Sequence, residues 1–308
     1  MLGLPDQLTQ WLREIQRATE LRIKAGFTVT PSDARVALTG LTYAFGPKQS
    51  PLPLEQPLSI DGVSCQLFAA GENIGEAKPI MLFLHGGGHV AGSVGDYKGI
   101  LRKIARLTDC RVVAVDYALA PEHAYPQGLN DARCALQGVH QALAKIGVAS
   151  TEELYLVGDS AGGALAATLA IESSWQEHQI SGLGLIYPSL DYTLSTPAIE
   201  TYGEGYMLTR DRVRWYFDQY LQNGEDRRAC SPLYMDVGPH LPPVSIVAAD
   251  HCPLVDESRQ WAEKLKTKNR PVRIDIVENS IHAALNLEKL CPKASNTIYS
   301  LIEKMVIR

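Results

Sequence analysis

The chain has 308 residues, 45% of them hydrophobic and 20% charged, with 25 Gly and 18 Pro. That is too apolar for a disordered segment and too irregular for a collagenous, low-complexity or coiled-coil one, and at about 150 residues per domain it amounts to one large domain or two ordinary ones. Twenty-nine basic residues against 34 acidic ones give a net charge of -5 with no long run of either sign, which argues against a nucleic-acid partner.

The first residues carry charge from Asp6 onward and form no uninterrupted apolar stretch, so they read neither as a signal peptide nor as a membrane anchor. Leu4, Leu8, Trp11, Leu12, Ile15, Ala18 and Leu21 recur at spacings of three and four, the stripe of an amphipathic helix. Prolines at 31, 47, 51, 53 and 57 predict an irregular connector over 31–57. Ser59 to Ala69 reads as short strands about a turn at Asp61-Gly62.

From residue 78 the pattern changes. Short apolar runs, Ile80 to Leu84, Arg111 to Tyr117, Leu154 to Val157, Leu183 to Tyr187, Val244 to Ala248 and Val272 to Val277, alternate with segments long enough for crossover helices at 98–108, 128–146, 161–174, 254–267 and 291–305. Strand and helix in repetition predict an α/β fold, a mostly parallel sheet covered on both faces. One interval breaks the rhythm: between the runs at 183 and 244 lies a segment rich in Tyr, Trp and Met, read as an insertion above the sheet edge. No run approaches the roughly 18 apolar residues of a membrane span. The six cysteines are scattered singly without a CxxC pair, which predicts free thiols.

Two motifs carry chemistry. Gly158-Asp159-Ser160-Ala161-Gly162 is a G-x-S-x-G that chance alone would supply in about one chain in ten of this length. Its context is what counts, because an apolar strand precedes it and a small-residue helix follows. A serine thrust out on a strained strand-to-helix turn needs neighbours without bulk, and the helix N-terminus offers N–H groups to developing negative charge. The plainer reading is a tight turn with Ser160 as a helix cap. The second motif, His85-Gly86-Gly87-Gly88 at the end of the first parallel strand, arises by chance in on the order of 0.002 of chains. Its glycines let the backbone approach an oxyanion with their N–H groups. A phosphate loop is the competing reading, but no G-x-G-x-x-G or P-loop lysine accompanies it.

With these motifs the chain, over roughly residues 78–308, resembles the hormone-sensitive-lipase-like (bacterial family IV) α/β-hydrolase esterases and is similar to bacterial acetyl esterases. The resemblance rests on His85 to Ser93, on Asp116 to His123 with Tyr125-Pro126, on Gly158 to Gly163, on Ser231-Pro232-Leu233 and on the region of the last histidine. It implies one α/β-hydrolase domain over 1–308, with a helical cap built from about 1–50 and 190–230. It also implies hydrolysis of small acyl esters without a cofactor or metal. Within that frame Gly87, Gly88 and Ala161 would hold the oxyanion. His89 stands where the family has an aromatic and would reshape a pocket wall, and Tyr206 would line the acyl pocket. Asp116, Tyr117, Glu122 and Asp131 would buttress the glycine loop.

Of eight histidines, only His282 follows the last sheet strand, where the chain order of this fold puts the general base. His123, His140, His178 and His240 are read as surface or structural residues. The third member of the triad is the departure. The family pattern is Asp-Pro-Leu-x-Asp, its first Asp orienting the histidine, whereas this chain reads Asp250-His251-Cys252-Pro253-Leu254-Val255-Asp256. A neutral thiol is a weak acceptor and does not stabilise an imidazolium as a carboxylate does. Three carboxylates are candidates in its stead. Asp256 lies one turn beyond Cys252 if Pro253 begins a helix, Asp250 lies two residues before it on the same side if the chain is extended, and Asp191 is third. A weakened Ser160–His282 dyad is the fourth reading. A metal held by Asp250, His251 and Cys252 is disfavoured, since consecutive residues rarely present three ligands to one ion.

The expectation is a cytoplasmic serine carboxylesterase acting on short-chain acyl esters through an acyl-enzyme. Its partner is a small-molecule ester, not nucleic acid or membrane, and homo-oligomerisation is left open. The alternatives are a non-catalytic ligand-binding member of the fold, for which the odd Cys252 speaks, and a formamidase or amidase.

Overall fold

Strands that are apolar on nearly every residue need cover on both faces, and the strands Arg111–Val115 and Gly182–Ile186 are buried throughout. The computed structural model describes residues 3–175 and 180–306; His178 lies outside them. In chain order the elements are helices α1 (Asp6–Lys24) and α2 (Pro31–Phe45), strands β1 (Leu54–Ile60), β2 (Val63–Ala69) and β3 (Lys78–Leu84), α3 (Val94–Thr108), β4 (Arg111–Val115), α4 (Gln127–Lys145) and β5 (Ser150–Asp159). They continue with α5 (Ala161–Ser173), β6 (Gly182–Ile186), short α6 (Ala198–Thr201), α7 (Arg210–Tyr220), short α8 (Arg227–Cys230), β7 (Val244–His251), α9 (Val255–Thr267), β8 (Val272–Ile281) and α10 (Pro292–Val306).

Among the described residues the strands form one sheet in the order β1-β2-β4-β3-β5-β6-β7-β8. The first two pair antiparallel with each other, β2 pairs antiparallel with β4, and the rest run parallel. The period of two sorts each strand's side chains between two cores. Ile80, Leu82 and Leu84 of β3 join the core under α4, α5 and α9. Met81 and Phe83 join the core under α3 and α10, which Leu8 and Leu12 of α1 extend. Helix α5 is buried at every position from Ala161 to Ile171, as a helix of small and apolar residues must be if it lies inside the layers. No helix of the described residues is long and apolar enough to cross a membrane, and the six cysteines are free thiols.

The expected irregular connector over 31–57 is corrected at its start. Pro31 begins α2 instead of preventing it, because at the first helical position its missing N–H is no loss. Thr30 and Asp33 close a capping box there, with the Thr30 amide on Asp33 Oδ2 at 2.9 Å. Irregular chain remains only over 46–53, and Pro57 sits in β1, an edge strand where a ladder donor is dispensable. Helices α1, α2 and α7 line one cavity over the C-terminal ends of β3 and β5. The insertion has its own core of Tyr192, Ile199, Phe217 and Tyr220, packed against Val90, Leu254 and Val255.

Candidate active site

Ser160 is the residue between β5 and α5, held at φ 53° and ψ -117°. This is a sparsely populated backbone conformation that costs on the order of 1–3 kcal/mol and persists only where the surroundings enforce it. They do so from both sides. A Cβ on Gly158 would lie 2.3 Å from the Gly162 carbonyl oxygen, and one on Gly162 would lie 2.0 Å from that of Leu84. The two glycines of the motif are thus the places where β5, α5 and β3 touch backbone to backbone. The Ser160 amide donates to Ile186 O, and its carbonyl accepts from Ala164 and Ser189.

His282 follows β8, and its Nε2 lies 2.9 Å from Ser160 Oγ, bridging 122 positions of sequence. The Tyr187 ring packs on the imidazole with centroids 4.7 Å apart. On the other side of the ring, Nδ1 lies 3.2 Å from Cys252 Sγ, which also receives the Leu254 amide at 3.4 Å. Cys252 is fully buried and His282 is 5% exposed. Burial pushes the Cys252 thiol well above its ordinary range and pulls His282 down to about 3; both groups are uncharged at neutral pH.

Neither Asp256 nor Asp250 takes the place of the family acid, and both expectations are corrected by what these carboxylates bind. Helix α9 begins at Val255, not at Pro253, so Cys252 is not on the helix and Asp256 is not one turn beyond it. Asp256 instead accepts the Ala198 amide and pairs with Arg259, each at 2.9 Å. Pairing between β7 and β8 shifts register between Ala249 and His251, which breaks the alternation that would have aligned Asp250 with Cys252. Asp250 accepts the amides of Asn279 and Ser280. Asp191 closes a local turn through Thr193 and Ser195. The partner of the imidazole is the thiol, which the sequence placed at the right position but which its weak acceptor chemistry argued against.

The glycine loop is buttressed from below. The Gly86 amide donates to Asp159 Oδ1 at 2.7 Å and to Tyr97 OH at 3.2 Å, and Tyr97 donates to Asp159 Oδ2 at 2.8 Å. Burial raises Asp159 to about 7, against the pull of these donors. The Tyr117 hydroxyl donates to His85 O at 2.6 Å, and the Tyr117 ring stacks on the His85 imidazole. Asp116 accepts the Val94 amide and Asp131 the Ala118 amide, bracing the chain on either side of Tyr117. Glu122 reaches the loop through Arg35 of α2, which also donates to the carbonyl oxygens of Val90 and Ala120. Arg35 and Tyr97 went unread in the sequence, because neither belongs to a spaced motif. Gly87 sits at φ 129°, where a Cβ would lie 2.0 Å from Ala91 O, and Gly88 at φ 65°, against the Tyr216 ring.

Gly87, Gly88, Ser160, Ala161 and His282 line one cavity of about 380 Å³. Its outer walls come from Trp11 and Ile15 of α1, Leu38 and Leu41 of α2, and Val213 and Phe217 of α7. These walls explain why the stripe of α1 buries only Leu8 and Leu12 in the core. Two pocket expectations are corrected. His89 does not border this cavity: it stacks on Tyr220 at 3.8 Å, and its Nε2 meets Tyr192 OH at 3.1 Å, inside the insertion core. Tyr206 packs on Tyr202 and His251, while its neighbours Met207 and Leu208 line the cavity.

Comparison with known proteins agrees with this geometry. A family model described as alpha/beta hydrolase fold matches residues 81–286. A carboxylic ester hydrolase of Mycobacterium tuberculosis is 32% identical over 224 residues, an alignment that spans 70% of this chain and 60% of that protein. The acetyl esterase of Salmonella typhi is 30% identical over 230 residues, covering 71% of this chain and 69% of the relative. Among solved structures, the hyperthermophilic esterase of the archaeon Pyrobaculum calidifontis superposes with a TM-score of 0.82 at 26% identity, over 99% of each chain. The chain belongs to the α/β-hydrolase family, in its hormone-sensitive-lipase-like group of carboxylic ester hydrolases.

Proposed function

We propose that the chain hydrolyses short-chain acyl esters through an acyl-enzyme on Ser160. The observation that carries this reading is the 2.9 Å approach of His282 Nε2 to Ser160 Oγ in a cavity that Gly87, Gly88 and Ala161 also line. Ser160 Oγ attacks the ester carbonyl as its proton passes to Nε2. The oxyanion is met by the amides of Gly87, Gly88 and Ala161, and the imidazolium returns the proton to the departing alcohol. Water, deprotonated by the same nitrogen, then releases the acid and restores Ser160.

Small acyl groups are favoured by the likeness to an acetyl esterase. A cavity of about 380 Å³, within the usual range of ligand pockets, leaves the alcohol part room for several carbons. A panel of nitrophenyl esters from acetate upward tests this, and fastest turnover on long chains would contradict it. Labelling of Ser160 by a fluorophosphonate, absent in Ser160→Ala, separates this reading from a ligand-binding protein. Parallel assays on anilides separate it from an amidase.

A further inference from the structure

Three features of the imidazole's surroundings bear on which esters the site can open, and all three rest on the esterase reading above. The ring nitrogen away from Ser160 faces sulfur at 3.2 Å, not a carboxylate. The nearby carboxylates are committed elsewhere: Asp250 to Asn279 and Ser280, Asp256 to Ala198 and Arg259, and Glu257 to the amides of Leu190 and Asp191. The sulfur itself is held in place by the Leu254 amide.

A thiol is both a weak donor and a weak acceptor. If it donates to Nδ1, the ring proton sits on Nε2 and Ser160 faces an N–H, which cannot take its proton. If it accepts from Nδ1–H, the lone pair of Nε2 faces Ser160. The productive tautomer is therefore the one in which Cys252 accepts from Nδ1–H, at a sulfur that also accepts the Leu254 amide. This fixes the ring without offering any negative charge to the imidazolium that forms during attack.

We propose that Cys252 is a positioning residue whose uncharged sulfur orients His282 but leaves it a weak base, and that the enzyme is thereby specialised for esters of acidic hydroxyls, aryl and enol esters, over esters of alkyl alcohols. A weak base reaches the tetrahedral intermediate only when the carbonyl is electrophilic. An aryl or enol oxygen supplies that, and it departs with its electron pair as a weakly basic anion. In the alkyl case the leaving oxygen is about as basic as that of Ser160 and departs only as it takes the proton that Nε2 carries, so a base that captures that proton poorly lets the intermediate return to ester. The balance is that of any ester hydrolysis: the Oγ–acyl bond forms as the acyl–oxygen bond breaks, and water then replaces Ser160 on the acyl carbon. The serine proton is carried by Nε2 to the leaving oxygen, or to solvent if the oxygen leaves as an anion.

The test compares kcat/KM for phenyl acetate and ethyl acetate, because this ratio reports acylation and leaves out the deacylation step common to both. In the wild-type protein the phenyl ester is strongly preferred. Cys252→Asp gives His282 a charged partner, with the Leu254 amide available to the new carboxylate. It is expected to raise turnover of ethyl acetate by at least about tenfold more than that of phenyl acetate. The acid limb of kcat/KM should move to higher pH, since a neighbouring carboxylate raises the imidazole pKa. Cys252→Ser, a better acceptor, should move the ratio the same way by less, and it keeps the test available if the Asp variant does not fold. Cys252→Ala should lose kcat, a loss that a residue merely filling space would not show. An unchanged phenyl-to-ethyl ratio in the Asp or Ser variant, with Ser160 still labelled by fluorophosphonate, overturns this inference alone. Absence of labelling and of all ester turnover in the wild type overturns the esterase reading and this inference with it.

Discussion

Asp250 accepts the amide of Ser280 at 3.0 Å, two residues before His282, and that of Asn279 at 2.9 Å. The carboxylate thus clamps the end of β8 that delivers the imidazole. Asp250→Ala is expected to lower stability by about 1.5 to 3 kcal/mol, the range for hydrogen bonds to a charged group. In Asp256→Asn kcat should stay within a few-fold of wild type, because the lost bonds are to Ala198 and Arg259. Thermal unfolding and kcat measured on both variants check this; a fall in kcat of the order of 10⁴ for Asp256→Asn, the effect of neutralising a triad acid, would restore it as the acid.

Gly87 has no room for a side chain: φ is 129°, and an added Cβ would sit 2.0 Å from Ala91 O. Gly87→Ala must turn the loop and carry its amide off the oxyanion position. Kinetics on an activated ester should show kcat reduced by about 10² to 10³, the usual loss for one such donor. An unaffected kcat would place the oxyanion elsewhere.

Tyr97 joins Asp159 and the Gly86 amide in one buried network beneath the same loop. Tyr97→Phe leaves Asp159 Oδ2 without that donor, and a buried unpaired polar group costs about 1–3 kcal/mol. The melting temperature should fall, and kcat should fall more than KM rises, because the loop supports the transition state. A change confined to KM would contradict this.

His89 is buried, and burial pulls it down to about 3 from an ordinary 6.5. The unfolded chain takes up a proton at this residue below pH 6.5 while the folded chain does not, so the contribution of His89 to stability is present above pH 6.5 and is lost as pH falls toward 3. The slope is about 1.4 kcal/mol per pH unit within that window. His89→Asn suits the φ of 63° and does not titrate. It should be less stable than wild type at pH 7, through loss of stacking on Tyr220, with a gap that narrows from pH 6.5 to 4. Denaturant titrations at several pH values measure it; a constant gap would mean that His89 is charged in the folded protein.

Arg35 ties α2 to the glycine loop through Val90 O, Ala120 O and Glu122. Arg35→Met removes these bonds from α2 and leaves the sheet untouched. Hydrogen exchange should quicken across Pro31–Phe45, and KM should rise several-fold with little change in global unfolding. Unchanged exchange in α2 would show that its apolar contacts suffice.

The residues that had to be small or apolar were legible one by one. Gly158 and Gly162 announce a backbone contact, the glycines after His85 announce a loop open to an anion, and the apolar alternation from residue 78 announces a sheet covered on both faces. These are demands of local geometry and burial, and a sequence states them directly. It also stated that Cys252 stands where a carboxylate was due. What it left open was direction. A register shift between Ala249 and His251 turned Asp250 away, a helix beginning at Val255 turned Asp256 toward Ala198, and a loop conformation gave the cavity wall to Met207 and Leu208 instead of Tyr206. Side-chain direction at the ends of strands and helices depends on one residue more or fewer in an element, and that number is settled by packing against distant parts of the chain. The amino-acid order determined which chemistry is present, and only the assembled sheet, with Cys252 after β7 and His282 after β8, decided that the histidine turns to sulfur.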